Sequence, residues 1–304
     1  MGIPVNPLEP DRYIMTESSS QDSWELTTCI LCEDNPPAAI IWPDKMRGDI
    51  RRCSRCKLAF RSPRRREEYQ TQHFAEEWTE DRPVFNLEEY RQVNLHTIVK
   101  WILDHHSGPG TVLDIGSSYG NLLAQFPNNW QKVGIEPSRA ASQICQQRLP
   151  DAKIFTGTLT DFPPDIEAYD VITLVDTIYY LHNPLRDLIK IRSLLKPNGF
   201  FLVESPNFLN RQYVYRCIGH AFDDTWMFFY TPRSLTQVLQ RAGMRVADRF
   251  NLPGHRIGSN NAMARLVTRT EFFLTQALRK WIKSVDLVPH FVLVAQAEPR
   301  RLLD

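Results

Sequence analysis

The chain has 304 residues, enough for one full core and a small accessory module. Its 36 Lys and Arg stand against 35 Asp and Glu, and a net charge of +1 excludes a chain-wide polyelectrolyte built for nucleic acid or an anionic surface. No apolar run approaches the ~18 residues that cross a bilayer, and the N-terminal stretch lacks the apolar centre of a secretory signal, so a cytoplasmic setting is expected.

Residues 1–26 are rich in Pro, Ser, Asp and Glu without an apolar period, which predicts a flexible tail. Residues 27–63 carry "CILC" at 29–32 and "CSRC" at 53–56. Without an export signal, paired CxxC knuckles read as metal ligands rather than disulfides. Four thiolates from Cys29, Cys32, Cys53 and Cys56 would satisfy a tetrahedral zinc with no open position, hence a structural ion; unbound thiols and redox work are the other readings. Cys145 and Cys217 stand apart as structural thiols. The same stretch holds Arg47, Arg51, Arg52, Arg55, Lys57, Arg61, Arg64, Arg65 and Arg66. Some of these cations compensate a zinc–tetrathiolate of net charge about −2. The rest suit a solvated surface, the diphosphate of a nucleotide-linked sugar, or a nucleic-acid backbone.

Residues 64–107 read as a helical linker or lid, with Val93, Ile98, Trp101 and Ile102 on one face and a stop at "HHSGPG". From 108 to 304 the texture changes. Seven short apolar runs alternate with helical stretches: "TVLDIG", "KVGIEP", "AKIFTG", "YDVITLVD", "GFFLVESP", "MRVADRFN" and "HFVLVAQA". Continuous runs of this length suit strands buried on both faces, so the fold class is α/β, a doubly wound, mostly parallel sheet. Helices should begin near Ser138, Pro184 and Pro232, the second ending at the breaker cluster "KPNG". The segment 251–289 interrupts the last two strands and holds a predicted helix around 261–284. Phe273, Ala277 and Trp281 give that helix an apolar stripe beside Arg279, Lys280 and Lys283. The stripe packs on the domain or, as the minority reading, lies on an anionic membrane near a lipid-linked substrate.

"TVLDIGSSYGNLL" at 111–123 is a strand, a glycine turn and a helix start, the arrangement that offers backbone N–H groups to a polar ligand. Its spacing, Asp114-x-Gly116-x-x-x-Gly120, differs from the GxGxxG of pyrophosphate sites. Glu136 ends the next strand, where a carboxylate can accept both ribose hydroxyls. These features point to an adenosyl cofactor.

The stretch resembles the first motif of class I S-adenosylmethionine-dependent methyltransferases, a Rossmann-like family with a seven-stranded sheet. "VGIEPS", "FTGTLTDF", "YDVITLVDTIYYLHNP" and "LLKPNGFFLVESPN" are similar to the family's second to fifth strands and loops. "CSRCKLAFRSP" with "EEYQTQHF" resembles the N-terminal zinc module of a bacterial group that includes sugar C-methyltransferases and polysaccharide-associated enzymes. The resemblance implies that Gly116, Ser117 and Gly120 face the methionine part of the cofactor and that Asp114 orients their loop. It further places Glu136 on the ribose, Thr158 and Leu159 at the adenine, and Asp176 or Thr177 at the pocket floor. It also implies a small-molecule or carbohydrate-type acceptor, with an RNA acceptor or a non-catalytic cofactor binder as alternatives.

Relatives often carry Glu-His where this chain has Tyr179 and Tyr180, so the base position is a phenol, with His182 two residues on. Near neutral pH an imidazole suits proton removal better than a phenol, so His182 is the expected base and Tyr180 its second. His220, Asp223, Asp224, Trp226 and His255 are candidates for the roof.

Overall fold

The computed structural model describes residues 23–77, 89–163, 169–218, 221–252, 266, 270 and 289–298. An N-terminal module contains β1 (Trp24–Glu25), β2 (Ala38–Trp42), β3 (Asp49–Cys53), β4 (Ala59–Ser62) and β5 (Arg64–Arg65). Two helices follow, α1 (Glu67–Glu77) and α2 (Glu89–His105). The larger part then runs β6 (Thr111–Ile115), β7 (Gln131–Glu136), α3 (Arg139–Arg148), β8 (Lys153–Thr156), β9 (Tyr169–Leu174), α4 (Pro184–Leu194) and β10 (Leu195–Pro206). It ends with α5 (Phe208–Ile218), β11 (Phe228–Phe229), α6 (Pro232–Arg241), β12 (Met244–Leu252) and β13 (His290–Ala297).

All seven apolar runs are strands of one sheet, in the order β12-β13-β10-β9-β6-β7-β8. β6 to β10 pair in parallel, whereas β13 runs antiparallel to both β10 and β12. Adjacent residues feed opposite faces. Ile172, Phe201 and Leu293 join one apolar cluster, while Val171, Leu202, Val292 and Val294 join the other. Burial on both sides is why these strands read as continuous apolar runs rather than alternating ones.

The helix starts are set by local chemistry. The Ser138 side chain accepts from Ala141 N, Asn183 caps the helix that opens with Pro184, and Thr231 forms a capping box with Ser234 ahead of Pro232. One boundary differs from expectation. "KPNG" does not merely end α4 but lies inside β10, with irregular register between Leu195 and Phe200. Pro197 has no N–H to donate, and a Cβ at Gly199 would stand 2.9 Å from Tyr169 O, so the strand passes here by backbone approach.

The larger sheet of the module takes its edge strand from outside it. β11 pairs antiparallel with β4, Phe228 opposite Phe60 and Phe229 opposite Ala59, giving the order β11-β4-β3-β2. Its core is shared in the same way, since Ile50 and Ala59 pack with Phe208, Phe222 and Phe229. Residues 1–22, most of the expected helix at 261–284, His220 and His255 lie outside the described residues, as does the Cys217 side chain.

Thr231→Ala removes the acceptor of the capping box and should destabilise the protein by about 1 kcal/mol. Urea denaturation should show a lowered midpoint with an unchanged slope.

Candidate functional site

The chain reverses direction across the sheet between β6 and β9, and the loops leaving these two strands part at their C-terminal ends. A cavity of 370 Å³ opens there. Asp114, Gly116, Ser117, Glu136, Thr158, Leu159, Asp176, Tyr180 and His182 all line it, so nine of the expected site residues meet in one space.

Gly116 takes φ +77°, and its N–H and that of Ser117 both donate to Ile135 O, at 2.8 and 3.0 Å. The loop after β6 is thereby tied to β7. At the end of β7 the Glu136 carboxylate accepts from Ser118 N at 2.8 Å and from Ser138 N at 2.9 Å. Each oxygen keeps a second lone pair. Burial pushes its carboxyl up to about 7, and these two donors only partly oppose that. Asp114 is likewise buried and pushed up to about 7; Thr173 Oγ1 donates to it at 2.7 Å. Gly120 is absent from the lining. A Cβ there would stand 2.6 Å from Cys145 Sγ, so this glycine lets the loop pack on α3 rather than facing the cavity. Thr158 is braced locally, its N–H and hydroxyl both donating to Asp161 Oδ2.

The floor is more elaborate than the sequence suggested. Asp176 is held at φ +53°, a left-handed conformation that a side chain resists. Its N–H donates to Glu204 Oε2 at 2.9 Å, its carboxylate accepts from Tyr179 at 3.3 Å, and Arg91 stands 3.2 Å from it. Behind it, His290 Nδ1 lies 2.5 Å from Glu204 Oε1, and Arg211 Nη2 lies 2.7 Å from His290 Nε2. Burial and the charge of Asp176 hold the Glu204 carboxyl well above the usual carboxylate range. Ligand atoms of Asp176, Glu204 and His290 lie within 4.8 Å of one another. Two guanidinium groups already stand against this cluster, Arg91 at Asp176 and Arg211 at His290. Arg91, Glu204, His290 and Arg211 carried no motif that could have flagged them.

His182 lines the cavity but its ring is engaged elsewhere. Arg64 Nη2 lies 3.3 Å from Nδ1, and Nε2 stands 3.0 Å from Glu25 Oε1, at ion-pair distance but outside hydrogen-bond alignment. An Nδ1 that accepts from a guanidinium leaves the proton on Nε2, and no lone pair then faces the cavity. Burial and the charge of Arg64 hold this imidazole below its ordinary value. Burial raises the Tyr180 phenol well above the ordinary range, which weakens it as a base at neutral pH. Around His182 and Tyr180 the cavity is otherwise lined by Gln70, Thr71 and Phe74 of α1 and by Asp223 and Thr225.

The four cysteines of the module do converge. Their sulfurs lie within 4.8 Å of one another, with Cys29 to Cys56 at 3.3 Å and Cys53 to Cys32 at 3.9 Å. Tetrahedral zinc with Zn–S near 2.3 Å needs sulfurs ~3.8 Å apart, so the set fits that ion. The basic cluster beside them largely dissolves. Arg61 and Arg64 are buried, and Arg47, Arg51 and Arg55 pair with Asp44, Asp49 and Asp34. Arg65 lies over the rings of Trp24 and Tyr69. Few of the nine cations remain to grip a phosphate chain.

Folding lifts Glu136 from 4.5 to about 7, so across that window the folded state holds a proton that the unfolded chain has lost. The contribution of this group to stability therefore falls as pH rises from about 4.5 to about 7. Glu136→Gln should recover up to ~3 kcal/mol of that loss, seen as a smaller change in urea midpoint between pH 4.5 and pH 7.5.

Residues 87–248 match the family model described as a methyltransferase domain. A ubiquinone biosynthesis O-methyltransferase of Rhodopseudomonas palustris (strain TIE-1) is 23% identical over 62% of this chain and 71% of its own length. The beauvericin nonribosomal cyclodepsipeptide synthetase of Beauveria bassiana is 29% identical over 46% of this chain, which spans only 5% of that much longer protein. Among solved structures, a SAM-dependent methyltransferase from Thermotoga maritima, described as a possible histamine N-methyltransferase, superimposes with a TM-score of 0.50. It is 19% identical and covers 76% of this chain and 99% of its own, a likeness of fold. The matched region spans both loops that form the cavity, and the chain belongs to the methyltransferase-domain family.

Proposed function

We propose that the protein transfers a methyl group from S-adenosylmethionine to a small acceptor, of carbohydrate type. The observation that carries the first half is Glu136. It is a buried carboxylate at the end of β7, held by two backbone N–H groups beside the left-handed turn at Gly116, with lone pairs left for two ribose hydroxyls. Gly116 and Ser117 would hold the methionine part, Thr158 and Leu159 the adenine, and Asp114 and Asp176 the surrounding wall. The bound cofactor supplies an activated methyl group on a sulfonium centre that carries its own leaving group. The protein's share is then to exclude water and to place the acceptor in line with that methyl group.

The acceptor half combines aromatic faces (Phe74, Tyr180) with Gln70, Thr71, Asp223 and Thr225, groups that suit a ring bearing hydroxyls. With His182 tied to Arg64 and Glu25, we place removal of the acceptor proton on the carboxyl group at this end, Asp223. We also propose that Cys29, Cys32, Cys53 and Cys56 hold one structural zinc. Burial pushes the Cys53 thiol up, but backbone N–H groups of Cys56 and Arg55 more than offset this and bring it to about 7.

Isothermal calorimetry tests the cofactor reading. Glu136→Ala should weaken S-adenosylmethionine by about 10- to 100-fold, the loss of charge-assisted hydrogen bonds to two hydroxyls. Unchanged affinity would remove the ribose assignment. Because the hydroxyls need the ionised carboxylate, binding to the unaltered protein should strengthen by about fivefold to tenfold between pH 6 and pH 8, and Glu136→Gln should flatten most of that rise. Elemental analysis of freshly purified protein should find about one zinc per chain, and Cys53→Ser should lose it. Metal-free protein, or a metal-replete Cys53→Ser variant, would end the four-thiolate assignment.

A further inference from the structure

Three buried donors, two from the module and one from the helix that follows it, terminate on backbone carbonyls of the cavity wall. Arg61, on β4, has no exposed surface. Its Nη1 donates to Arg47 O and Gly48 O at 2.9 and 2.8 Å, within the module. Its Nε donates to Trp226 O at 3.0 Å and its Nη2 to Asp223 O at 2.6 Å, across the boundary. Gln70, on α1, is 4% exposed, and its amide nitrogen bridges Tyr180 O at 2.8 Å and Thr225 O at 3.1 Å. Arg64, on β5, donates to His182 O at 2.8 Å while Glu25 holds its Nε at 2.8 Å.

These carbonyls belong to the two segments, 179–182 and 223–227, that line the acceptor half of the cavity. The segments are also joined to one another, Met227 N donating to Tyr179 O at 2.8 Å. A buried guanidinium whose hydrogen bonds go to carbonyls has a large desolvation cost, which burial shows by pushing Arg61 down to about 10. Such a group tolerates one docking geometry, because any displacement strands several N–H donors. The cofactor half is built otherwise. Gly116, Ser117 and Ser118 are fixed by Ile135 O and Glu136, and among the described residues no module side chain takes part.

The cysteine cluster bears on this wall through the chain. Cys53 ends β3, its N–H donates to Leu58 O, and β3 sets the register of β4 from Asp49 opposite Ser62 to Arg52 opposite Ala59. Arg61 projects from that hairpin.

We propose that Arg61, Gln70 and Arg64 are positioning residues through which the cysteine module and α1 form the wall of the acceptor half, so that unseating the module frees 179–182 and 223–227 while the cofactor half stands. The proposal rests on reading the cavity as a cofactor and acceptor site. The metal-bound hairpin is then what keeps the acceptor wall in place, and its loss should be felt as local opening rather than global unfolding.

The test uses the full chain and the product analogue S-adenosylhomocysteine. Amide hydrogen exchange and calorimetry are run on metal-loaded protein, chelator-stripped protein kept reduced, Arg61→Met, Arg61→Lys and Gln70→Leu. Exchange across 179–182 and 223–229 should quicken by about tenfold or more on stripping and in Arg61→Met, with β6 and β7 unchanged and the analogue's affinity held within about threefold. Arg61→Lys, which keeps a charge and a donor, should recover part of the protection. Unchanged exchange in both segments after stripping and in Arg61→Met overturns the proposal. So does an affinity for the analogue that falls in step with the exchange. If Arg61→Met does not fold, stripping and Gln70→Leu decide the matter by the same readings. Failure of the analogue to bind intact protein would instead overturn the cofactor reading, and the exchange pattern would still judge the wall.

Discussion

The site depends on one constraint of topology: strand order reverses at β6. β7 and β8 are added on one side of it, β9 and β10 on the other. Loops that leave neighbouring strands toward opposite sides cannot pack on each other, and a crevice opens between them. The glycine turn at 116 lies on one lip, and Asp176 to Tyr180 on the other. Glu136, one strand further, reaches back to Ser118 N and braces the first lip. Had β9 followed β8 outward, these groups would not share a space.

The two halves of the cavity are held by different physics. On the side of the glycine turn, backbone donors and acceptors of the parallel sheet fix the loop, so its shape follows from the fold. On the opposite side, short segments with little regular structure are hydrogen-bonded by side chains of β4, β5 and α1. Backbone carbonyls are generic acceptors, and the donors that hold them come from β4, β5 and α1. A fold divided in this way can keep one half constant while the module alters the other.

Much of this could be read from the sequence. The seven strands were legible because burial on both faces leaves unbroken apolar runs. Helix starts were legible because Ser138, Asn183-Pro184 and Thr231-Pro232 carry capping chemistry within three or four residues. Glu136 stood out as an acid ending an apolar strand beside a glycine turn. The two-residue strand β11 did not, since it gains its identity only by pairing with β4. Arg61 reads in the sequence as one of nine clustered cations, yet it is buried against a carbonyl 165 residues away. Its partners are main-chain oxygens, which every residue has, so no side-chain pattern announces them. The family resemblance implies that Gly120 faces the cavity, whereas the close approach of Cys145 explains why it is glycine. The chain from Asp176 through Glu204 and His290 to Arg211 joins four separate elements and left no local trace.

The buried acids separate structure from function. Asp187 is buried and raised by desolvation, but Arg186 lies 2.9 Å away and the residue sits in the first turn of α4, where a negative charge is welcome. Its acidity has a structural cause. Asp114 and Glu136 are as deeply buried, yet among the described residues neither has a cationic partner; a hydroxyl and two backbone N–H groups are their hydrogen-bond donors. The neutral form is favoured at each, so an amide would serve folding as well or better. Two adjacent carboxyls kept where ionisation is costly make sense if a ligand supplies what the protein withholds: hydroxyl donors for one, positive charge nearby for the other. An adenosyl sulfonium carries both.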